Sequence, residues 1–286
     1  MAEQDQPAVS SVPNKPPVLT ILLPVRHEGV NVPIMMKLMS ALVETPHEVL
    51  IIYDTADDDT IPAARAVQSR YPQVRLVHND LGRGVINALR KGVQEAKAPY
   101  VLVTCIDEVG PLLALDEMVD LLDDGCDFVA ATRYAYGGRR LSGSFFGHVL
   151  SCGSNMILKA FGSVLTDATC GLKMFRRSCF DKLNLESKPI GWVVAFEIGL
   201  KAQLCDLKLG EVPCLSFDRL YGGQSTFRIG PWFIEYLKWL FWGVREFHKR
   251  RHRPVAKPII RIPAVTATKS KKSTPISLVP TQKRST

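Results

Sequence analysis

Four carboxylates crowd the end of an apolar segment in the first quarter of the chain. The stretch VLIIYDTADDDT, residues 49–60, contains Asp54, Asp57, Asp58 and Asp59. Like charges this close repel one another, so either solvent screens them or a cation or a donor-bearing ligand occupies the site. Asp58 and Asp59 are also placed to cap the helix that follows them, because carboxylates satisfy the free backbone donors of a helix start. Asp54 lies at the strand end without such a local role, and we expect it to face a ligand.

Apolar strands and helical patterns alternate along the chain and must position these side chains. Short apolar runs predict strands at 18–25, 48–54, 74–79, 100–106 and 127–134, and helical spacing predicts helices at 32–44, 61–70, 84–97, 113–124, 145–160 and 193–204. Strands that are apolar on both faces predict an α/β fold, a single Rossmann-like domain with a mostly parallel, doubly covered sheet. Ligands bind beyond the carboxyl ends of such strands. Arg26, Asp54 and Asp107 therefore belong to one rim of the sheet.

The charge of the chain is concentrated at its carboxyl end. Residues 249–286 contain eleven Lys or Arg and no Asp or Glu, so the formal net charge of +8 divides into +11 for this segment and −3 for the rest. A nucleic-acid reader is expected to spread its basic residues over a folded face, so we expect no nucleic-acid partner. The basic segment either touches anionic lipid or keeps the protein soluble.

The cysteines and the amino terminus bear on the compartment. The seven cysteines form no C-x-x-C pair and lie mostly in apolar surroundings, which predicts reduced thiols in the cytoplasm. The amino terminus has no basic-then-apolar signal pattern, and no stretch reaches 18 apolar residues. We expect neither export nor a membrane span from these residues.

The ends of the chain differ from its middle. Residues 1–17 are polar and Pro-rich and are predicted to be disordered, and so is the basic tail 249–286. The segment 229–248 is rich in Trp and Phe, which predicts an amphipathic helix that lies in the headgroup region of a membrane. The alternative is a helix that closes the core or a dimer interface. The domain between these ends spans residues 18–228.

Several motifs in sequence carry a resemblance to a known family. The segments LLPVRHEGVN (22–31) and IIYDTADDDT (51–60) resemble the P-x-y-N-E and I-D-D-G-S-x-D-x-T motifs of the family 2 glycosyltransferases, which have the GT-A fold. Further segments resemble, in order and spacing, the dolichol-phosphate mannose synthase branch of that family: DLGRGVINALRKGVQEAKAPYVLVTCIDE, AATRYAYGG, SCGSN, TDATCGLKMFRR, GWVVAFEIGLKA and LGEVPCLSFDRLYGGQSTF. The likeness covers about residues 18–228.

The resemblance implies a site for a nucleotide diphosphate sugar. The residues implied in nucleotide-sugar binding are Pro24, Arg26, Glu28, Asp54, Asp107 and Arg219. The acidic pair Asp107 and Glu108 would hold Mg²⁺ or Mn²⁺ on the pyrophosphate, since hard divalent ions prefer oxygen ligands. Cys105 stands where the family's D-x-D motif has its first Asp, and a thiol is a poor ligand for Mg²⁺. Metal use is therefore a weaker expectation than the fold.

The resemblance also implies an acceptor site built from cations. The acceptor of this branch is a phosphate, which is already ionised, so positive side chains must offset its repulsion by the donor pyrophosphate. The residues implied in catalysis are Asp107, Arg133 and Arg219, and those implied in acceptor binding are Arg133, Arg139, His148 and Lys173. Cys152 replaces a second family Arg, whose role then passes to His148, Arg139 or Arg140. The resemblance also implies a mobile loop that follows Arg219 and contains Ser225.

The function expected from this resemblance is inverting transfer of a hexose from a nucleotide diphosphate sugar to a polyprenyl-phosphate-type lipid. The protein would lie peripherally on the cytoplasmic face of a membrane, which it would touch through residues 229–253. Two alternatives stay open. One is transfer to a glycan or glycolipid hydroxyl, which needs a general base, and the other is a non-catalytic nucleotide-sugar binder, which Cys105 and Cys152 favour.

Overall fold

The computed structural model describes residues 16–141, 145–217 and 229–263. The strands are β1 (Leu19–Pro24), β2 (His47–Tyr53), β3 (Val74–His78), β4 (Tyr100–Val103), β5 (Phe128–Thr132), β6 (Arg139–Arg140), β7 (Lys173–Arg176), β8 (Leu209–Pro213), β9 (Leu215–Ser216) and β10 (Ile259–Ile260). The α-helices are α1 (Val32–Leu42), α2 (Thr60–Gln68), α3 (Val85–Glu95), α4 (Leu115–Asp123), α5 (Phe145–Ala160), α6 (Val193–Leu204) and α7 (Ile229–Lys249).

Eight of these strands form the central sheet, in the order β10-β8-β5-β7-β4-β1-β2-β3. Every pairing in it is parallel except those of β7, which runs antiparallel between β4 and β5. The expected α/β architecture with a mostly parallel sheet is confirmed. The sequence pattern did not predict β7, which has only four residues.

Strand β1 shows why the apolar runs are continuous. Leu19, Ile21 and Leu23 pack into one core cluster with α1 and α4, whereas Leu22 packs into a second cluster with α3 and α6. Successive side chains of a strand point to opposite faces, so a sheet covered on both sides needs apolar residues at every position. The polar loops at the carboxyl ends of the parallel strands are left to form the site.

Helix α7 closes a third core cluster. Its Trp239, Leu240 and Phe247 are buried against α6 and against Leu158 of α5. Gly243 lies at the closest approach, where an added Cβ would lie 3.0 Å from Leu158. Part of the aromatic segment therefore has the core-closing role that the sequence left as an alternative. Within the described residues, no helix is both long and apolar enough to span a bilayer.

The segment after α7 differs from the expected disordered tail. Ile259 and Ile260 form β10 and pair in parallel with Gly210 and Glu211 of β8. Arg261 then forms ion pairs with Asp120 and Asp124 of α4. Strand pairing at the sheet edge and the ion pairs of Arg261 give this part of the segment defined contacts, although Ile259 is 54% exposed. The composition of the segment does not reveal such partners. Residues 264–286, the rest of the predicted tail, lie outside the described residues.

Candidate active site

The acidic segment after β2 holds the loop after β1. Three consecutive backbone N–H groups of that loop donate to it: His27 to Asp58 Oδ1 (3.1 Å), Glu28 to Thr60 Oγ1 (2.9 Å) and Gly29 to Asp59 Oδ1 (3.0 Å). Asp58 is buried and also accepts from the Thr60 N–H, the first of α2, at 2.9 Å, whereas Asp59, the N-cap residue of α2, makes no side-chain capping hydrogen bond. These carboxylates thus stabilise backbone, and their mutual repulsion is offset by peptide donors.

The same segment contains a group of potential metal ligands. One potential metal-ligating atom from each of His27, Asp58 and Asp59 lies within 4.8 Å of the other two. Both oxygens of Asp58 already accept backbone hydrogen bonds from His27, at 3.1 and 3.2 Å. The hydrogen bonds account for this cluster without an ion.

Asp54 lies at the carboxyl end of β2, as the sequence predicts, and its two oxygens have defined partners. Asn79 Nδ2 donates to Oδ1 at 2.7 Å, and the Gly84 N–H donates to Oδ2 at 3.0 Å. Gly84 precedes α3 with φ of +109°, and an added Cβ would lie 2.6 Å from Pro189. Asp54 therefore fixes the loop between β3 and α3, and a bound base would share a carboxylate that is already oriented by the protein.

The other residues expected to bind the nucleotide follow β1. Pro24 ends the strand beside Ile52 of β2, and Arg26 is exposed in the next loop. Glu28 is half-buried and accepts from Asn31 Nδ2 at 2.6 Å. Arg219 and Ser225 lie outside the described residues.

Asp107 and Glu108 follow β4 and are both half-buried. Ser216 Oγ of β9 donates to Glu108 Oε1 at 2.5 Å. Partial burial, together with the nearby carboxylates of Asp107 and Glu108, raises the pKa of the Cys105 thiol well above its usual range, and Glu28 contributes in the same direction. Negative groups from the β1 and β4 loops thus meet around Cys105. Asp107, Glu108 and Glu28 thus lie near one another at the carboxyl ends of β1 and β4.

Arg133 is held by an extensive hydrogen-bond network at the end of β5. Its Nε donates to Asp167 Oδ2 at 2.7 Å and its Nη2 donates to Asp167 Oδ1 at 3.0 Å. The same Nη2 reaches Thr169 Oγ1 at 3.0 Å and Ser151 Oγ of α5 at 3.2 Å. Tyr134 donates its hydroxyl to Ser151 at 2.8 Å. The guanidinium is fixed in one orientation by groups from two separate segments, α5 and residues 167–169.

Asp167 balances the charge of Arg133 inside the protein. The carboxylate is fully buried, which by itself would raise its pKa, but the Arg133 charge and hydrogen bonds outweigh burial and leave the pKa below its ordinary value. The Arg133 backbone N–H also donates to Asp167, at 3.1 Å. Asp167 lies in the segment TDATCGLKMFRR, which contributes to the family resemblance, but the sequence does not reveal this role.

Lys173 occupies a different place from the one expected. It lies on β7, is fully buried, and donates its ammonium to the Asp167 carbonyl at 3.2 Å. Burial lowers the pKa of this ammonium. We therefore place Lys173 beneath the site, where it supports the Asp167 segment, and not on the surface that an acceptor would touch.

Glu211 of β8 is a further polar residue buried beneath the site. Its Oε1 accepts from the Thr166 N–H at 2.6 Å and from Thr166 Oγ1 at 2.9 Å, and burial raises its pKa. This residue was not predicted, because an acidic residue inside an apolar strand gives no sign of its distant partners.

The remaining acceptor candidates lie at the edge of the site. Arg139 is exposed, and Arg140 is half-buried; both form β6, which pairs in parallel with β9. His148 is exposed on α5, where its ring makes an edge contact with Tyr134, with ring centroids 5.6 Å apart. His148 therefore lies next to the Arg133 network.

Tyr236 of α7 is a site residue that the sequence analysis missed. Its ring stacks on Phe196, with centroids 6.0 Å apart, and burial raises the pKa of its hydroxyl to about 12. Arg133 and Cys105 both lie within electrostatic range of that hydroxyl. Tyr236 thus lies near both Arg133 and Cys105. An aromatic residue in an aromatic-rich segment offers no signal that would single it out.

Comparisons with known proteins agree with this architecture. A family model described as "Glycosyl transferase family 2" matches residues 20–183. The chain is 24% identical over 227 residues to a dolichol-phosphate mannosyltransferase of Pyrococcus furiosus, covering 78% of this chain and 62% of the relative. It is 25% identical over 230 residues to the Saccharomyces cerevisiae protein of the same name, covering 77% and 85%. The chain thus spans less than two thirds of the length of the archaeal relative.

Solved structures show the same fold. Glucosyl-3-phosphoglycerate synthase from Mycobacterium tuberculosis, in complex with Mn²⁺, UDP and glucosyl-3-phosphoglycerate, superposes with a TM-score of 0.61 at 15% identity, covering 80% of each chain. The complex of that enzyme with Mn²⁺, UDP-glucose and glycerol 3-phosphate gives a TM-score of 0.60 at 16% identity, again covering 80% of each chain. The GT-A fold expected from the sequence is confirmed. With a family model matching more than half of its length, the chain belongs to glycosyl transferase family 2.

Proposed function

We propose that this protein transfers a hexosyl unit from a nucleotide diphosphate sugar to a polyprenyl-phosphate-type acceptor. The observation that carries the proposal is the orientation of Arg133 by buried Asp167 beside the acidic rim around Cys105. A guanidinium whose Nε and Nη2 are held by Asp167 offers a fixed positive charge to a phosphate, and the carboxylates at the same rim suit the binding of the sugar donor. The relatives named dolichol-phosphate mannosyltransferase support this choice of acceptor, and a mannosyl unit as the group transferred.

On the donor side, the residues of the β1 and β2 loops bind the nucleotide. Asp54 is preoriented by Asn79 and Gly84 and accepts hydrogen bonds from the base. Arg26 and Glu28 lie on the loop that Asp58, Asp59 and Thr60 hold in place. Loops fixed in this way lose little conformational entropy when a ligand binds.

The carboxylate oxygens beside Cys105 form a ligand set that suits a hard divalent cation. Asp107 and Glu108 offer carboxylate oxygens, and the raised pKa keeps Cys105 as a neutral thiol, which is not a ligand for Mg²⁺ or Mn²⁺. The solved structures with the same fold contain Mn²⁺ and a uridine nucleotide. When bound, such an ion stabilises the negative charge that develops on the leaving diphosphate. We assign it to Asp107 and Glu108.

On the acceptor side, Arg133 positions the phosphate and offsets its repulsion by the donor diphosphate. An oxygen of the acceptor phosphate forms the new bond to the anomeric carbon while the bond from that carbon to the diphosphate oxygen breaks. The bonding electrons leave with the nucleoside diphosphate, and the anomeric configuration inverts. Because the acceptor is already ionised, no residue has to remove a proton.

Transfer to a sugar hydroxyl would require a general base. Asp167, the carboxylate nearest to Arg133 among the described contacts, is fully buried and committed to that pair. Its lowered pKa also makes it a weak base. The geometry therefore favours the phosphate acceptor. Cys105 in place of an acidic ligand favours the non-catalytic binder as the second candidate.

We place the protein peripherally at the cytoplasmic face of a membrane, where a lipid acceptor is available. The reduced, unpaired thiols of the described cysteines support a reducing compartment. The cationic end of α7 and the residues after it supply attraction to anionic lipid.

The assay combines purified protein, Mg²⁺ or Mn²⁺, a panel of nucleotide sugars and a short-chain polyprenyl phosphate. We expect release of nucleoside diphosphate with one donor, and loss of that release in Asp107→Ala. Asp57→Ala, which removes an exposed carboxylate after β2, is the matched control and keeps the activity. Nucleotide binding without turnover of any donor would favour the binder, and turnover that depends on a sugar hydroxyl would refute the phosphate acceptor.

A further inference from the structure

Helix α5 has the reverse of the usual distribution of side chains for a surface helix. Asn155, which is buried, donates Nδ2 to Asp167 Oδ1 (3.3 Å) and accepts from the Ala168 N–H (2.9 Å). Ser151, on the same side, contacts Arg133. A helix on the surface of a soluble domain normally turns its apolar stripe inward and its polar side chains outward. Here the inner face is largely polar and holds the site together.

The outer face of α5 is apolar and exposed. Phe145 is 83% exposed and Met156 is 69% exposed, and both share one side of the helix with Val149, at a spacing of four and seven residues. Phe146 and Ile157 extend this side and are also exposed. Together these five side chains are called the α5 face. An apolar surface of this extent on a monomeric domain indicates a partner.

Charge identifies the kind of partner. The sequence contains no Asp or Glu from Phe128 to Thr166, although it contains Arg139, Arg140 and Lys159 in that interval. The end of α7 lies beside the end of α5, with the rings of Phe161 and His248 in edge contact at 6.2 Å. The basic residues Lys249 to Arg253 follow there. Of these, Lys249 pairs with Glu246 and Arg250 pairs with Asp206. An apolar face within a segment that has no acidic residues, bordered by basic residues, matches an anionic lipid bilayer, where apolar side chains enter the acyl boundary and cations meet headgroups.

We propose that α5 is the helix that docks the protein on an anionic membrane, with the α5 face inserted at the level of the headgroups. This inference deepens the proposed function and rests on it for the acceptor: the phosphate of a lipid in that bilayer reaches Arg133 past His148, on the edge of the same helix. It differs from docking through α7 alone, because Trp239 and Leu240 of that helix are buried in the core. Among the side chains of α7 that the structure describes, Ile234 and Phe241 are the large apolar ones left exposed.

The test is flotation of the full chain with vesicles of phosphatidylcholine that contain phosphatidylglycerol, in low salt and in 0.5 M NaCl. High salt shortens the Debye length to about 4 Å and so weakens the contribution of the basic residues. We expect the wild type to float in both conditions. In high salt, the fraction of the double variant Val149→Glu/Met156→Glu that floats should be at least tenfold lower than that of the wild type. Both side chains are exposed, so these changes leave the core intact. Leu42→Glu, at the exposed end of α1, is the control and floats as the wild type does.

Two outcomes would overturn the proposal. One is equal flotation of the double variant and the wild type in high salt. The other is that the α5 face joins two copies of the chain: a dimer in light scattering that the double variant dissociates, without flotation of either protein. Nucleoside diphosphate release with a short, detergent-dispersed polyprenyl phosphate is measured in parallel, and the double variant should retain it. If neither protein releases nucleotide, the proposed function fails while flotation still decides the docking.

Discussion

Arg133 and Asp167 form a two-point pair in which Nε lies 2.7 Å from Oδ2 and Nη2 lies 3.0 Å from Oδ1, with the carboxylate fully buried. The pair joins the end of β5 to the segment before β7. It therefore belongs both to the stability of the fold and to the orientation of the group proposed to bind the acceptor phosphate.

Asp167→Asn is expected to destabilise the protein and to reduce turnover. The amide leaves the mostly buried guanidinium without its counter-charge, and breaking a buried ion pair in this way costs about 3–5 kcal/mol of unfolding free energy. Urea unfolding of the variant and the wild type measures the loss. Asp57→Asn, an exposed acid, should change the unfolding free energy by less than about 0.5 kcal/mol. A loss at Asp167 as small as that of the control would contradict the role given to the pair.

The stabilisation by this pair should disappear in acid. The pKa of Asp167 in the folded protein lies below its ordinary value, and the pKa of an Asp in the unfolded chain is about 3.9. A group with a depressed folded pKa contributes stability that is complete above the unfolded pKa and is lost as the pH falls through the folded pKa. The difference in unfolding free energy between wild type and Asp167→Asn is therefore constant from pH 7 to 5 and shrinks below pH 4. Urea titrations at each pH measure it, and a difference that stays constant down to pH 3 would exclude this origin.

The long parallel strands could be predicted from the sequence because their cause is local. Residues 18–25 and 48–54 are apolar throughout, and a strand covered on both faces requires that composition. Strand β7 could not be predicted, since its four residues include Lys173, whose burial depends on the Asp167 carbonyl. The two residues of β10 have a partner only once β8 is in place.

The residues of the site also divide into those that the sequence predicts and those that it does not. The position of Asp54 and Asp107 follows from the topology of parallel strands. The roles of Asp58 and Asp59 do not follow from the topology, because their partners are backbone groups of residues 27–29, about thirty positions earlier in the chain. A run of carboxylates in a sequence therefore indicates that donors are needed, without saying whether a ligand or a peptide segment supplies them.

Cys105→Asp is expected to increase the affinity for metal and to destabilise the metal-free protein. A third carboxylate beside Asp107 and Glu108 adds a hard oxygen ligand, and the affinity of such sites rises with the number of charged ligands. We expect Mn²⁺ affinity, measured by calorimetry with a nucleoside diphosphate present, to rise by about tenfold or more. Without metal, the added repulsion should lower the melting temperature, and Mn²⁺ should restore it.

The matched control for that change is Cys205→Asp, which places a carboxylate at a half-buried cysteine at the end of α6. It should leave Mn²⁺ affinity unchanged. If Cys105→Asp also leaves the affinity unchanged, the ion does not lie beside Cys105, and the assignment of Asp107 and Glu108 as ligands is wrong.

Gly84→Ala should uncouple Asp54 from the loop that it holds. The residue has φ of +109° and ψ of 156°, a region that L side chains occupy at a cost of about 1–3 kcal/mol, and its new Cβ would lie 2.6 Å from Pro189 and 2.7 Å from the Pro189 carbonyl oxygen. The loop must shift, so the hydrogen bond from Gly84 to Asp54 lengthens and the carboxylate loses its orientation. We expect both a lower unfolding free energy, by about 2–3 kcal/mol, and weaker nucleotide binding in calorimetry. Gly153→Ala in α5, where an added Cβ meets no atom within 4 Å, is the control and should be neutral or slightly stabilising. If Gly84→Ala binds nucleotide as the wild type does while losing stability, Asp54 acts only through the fold and does not contact the base.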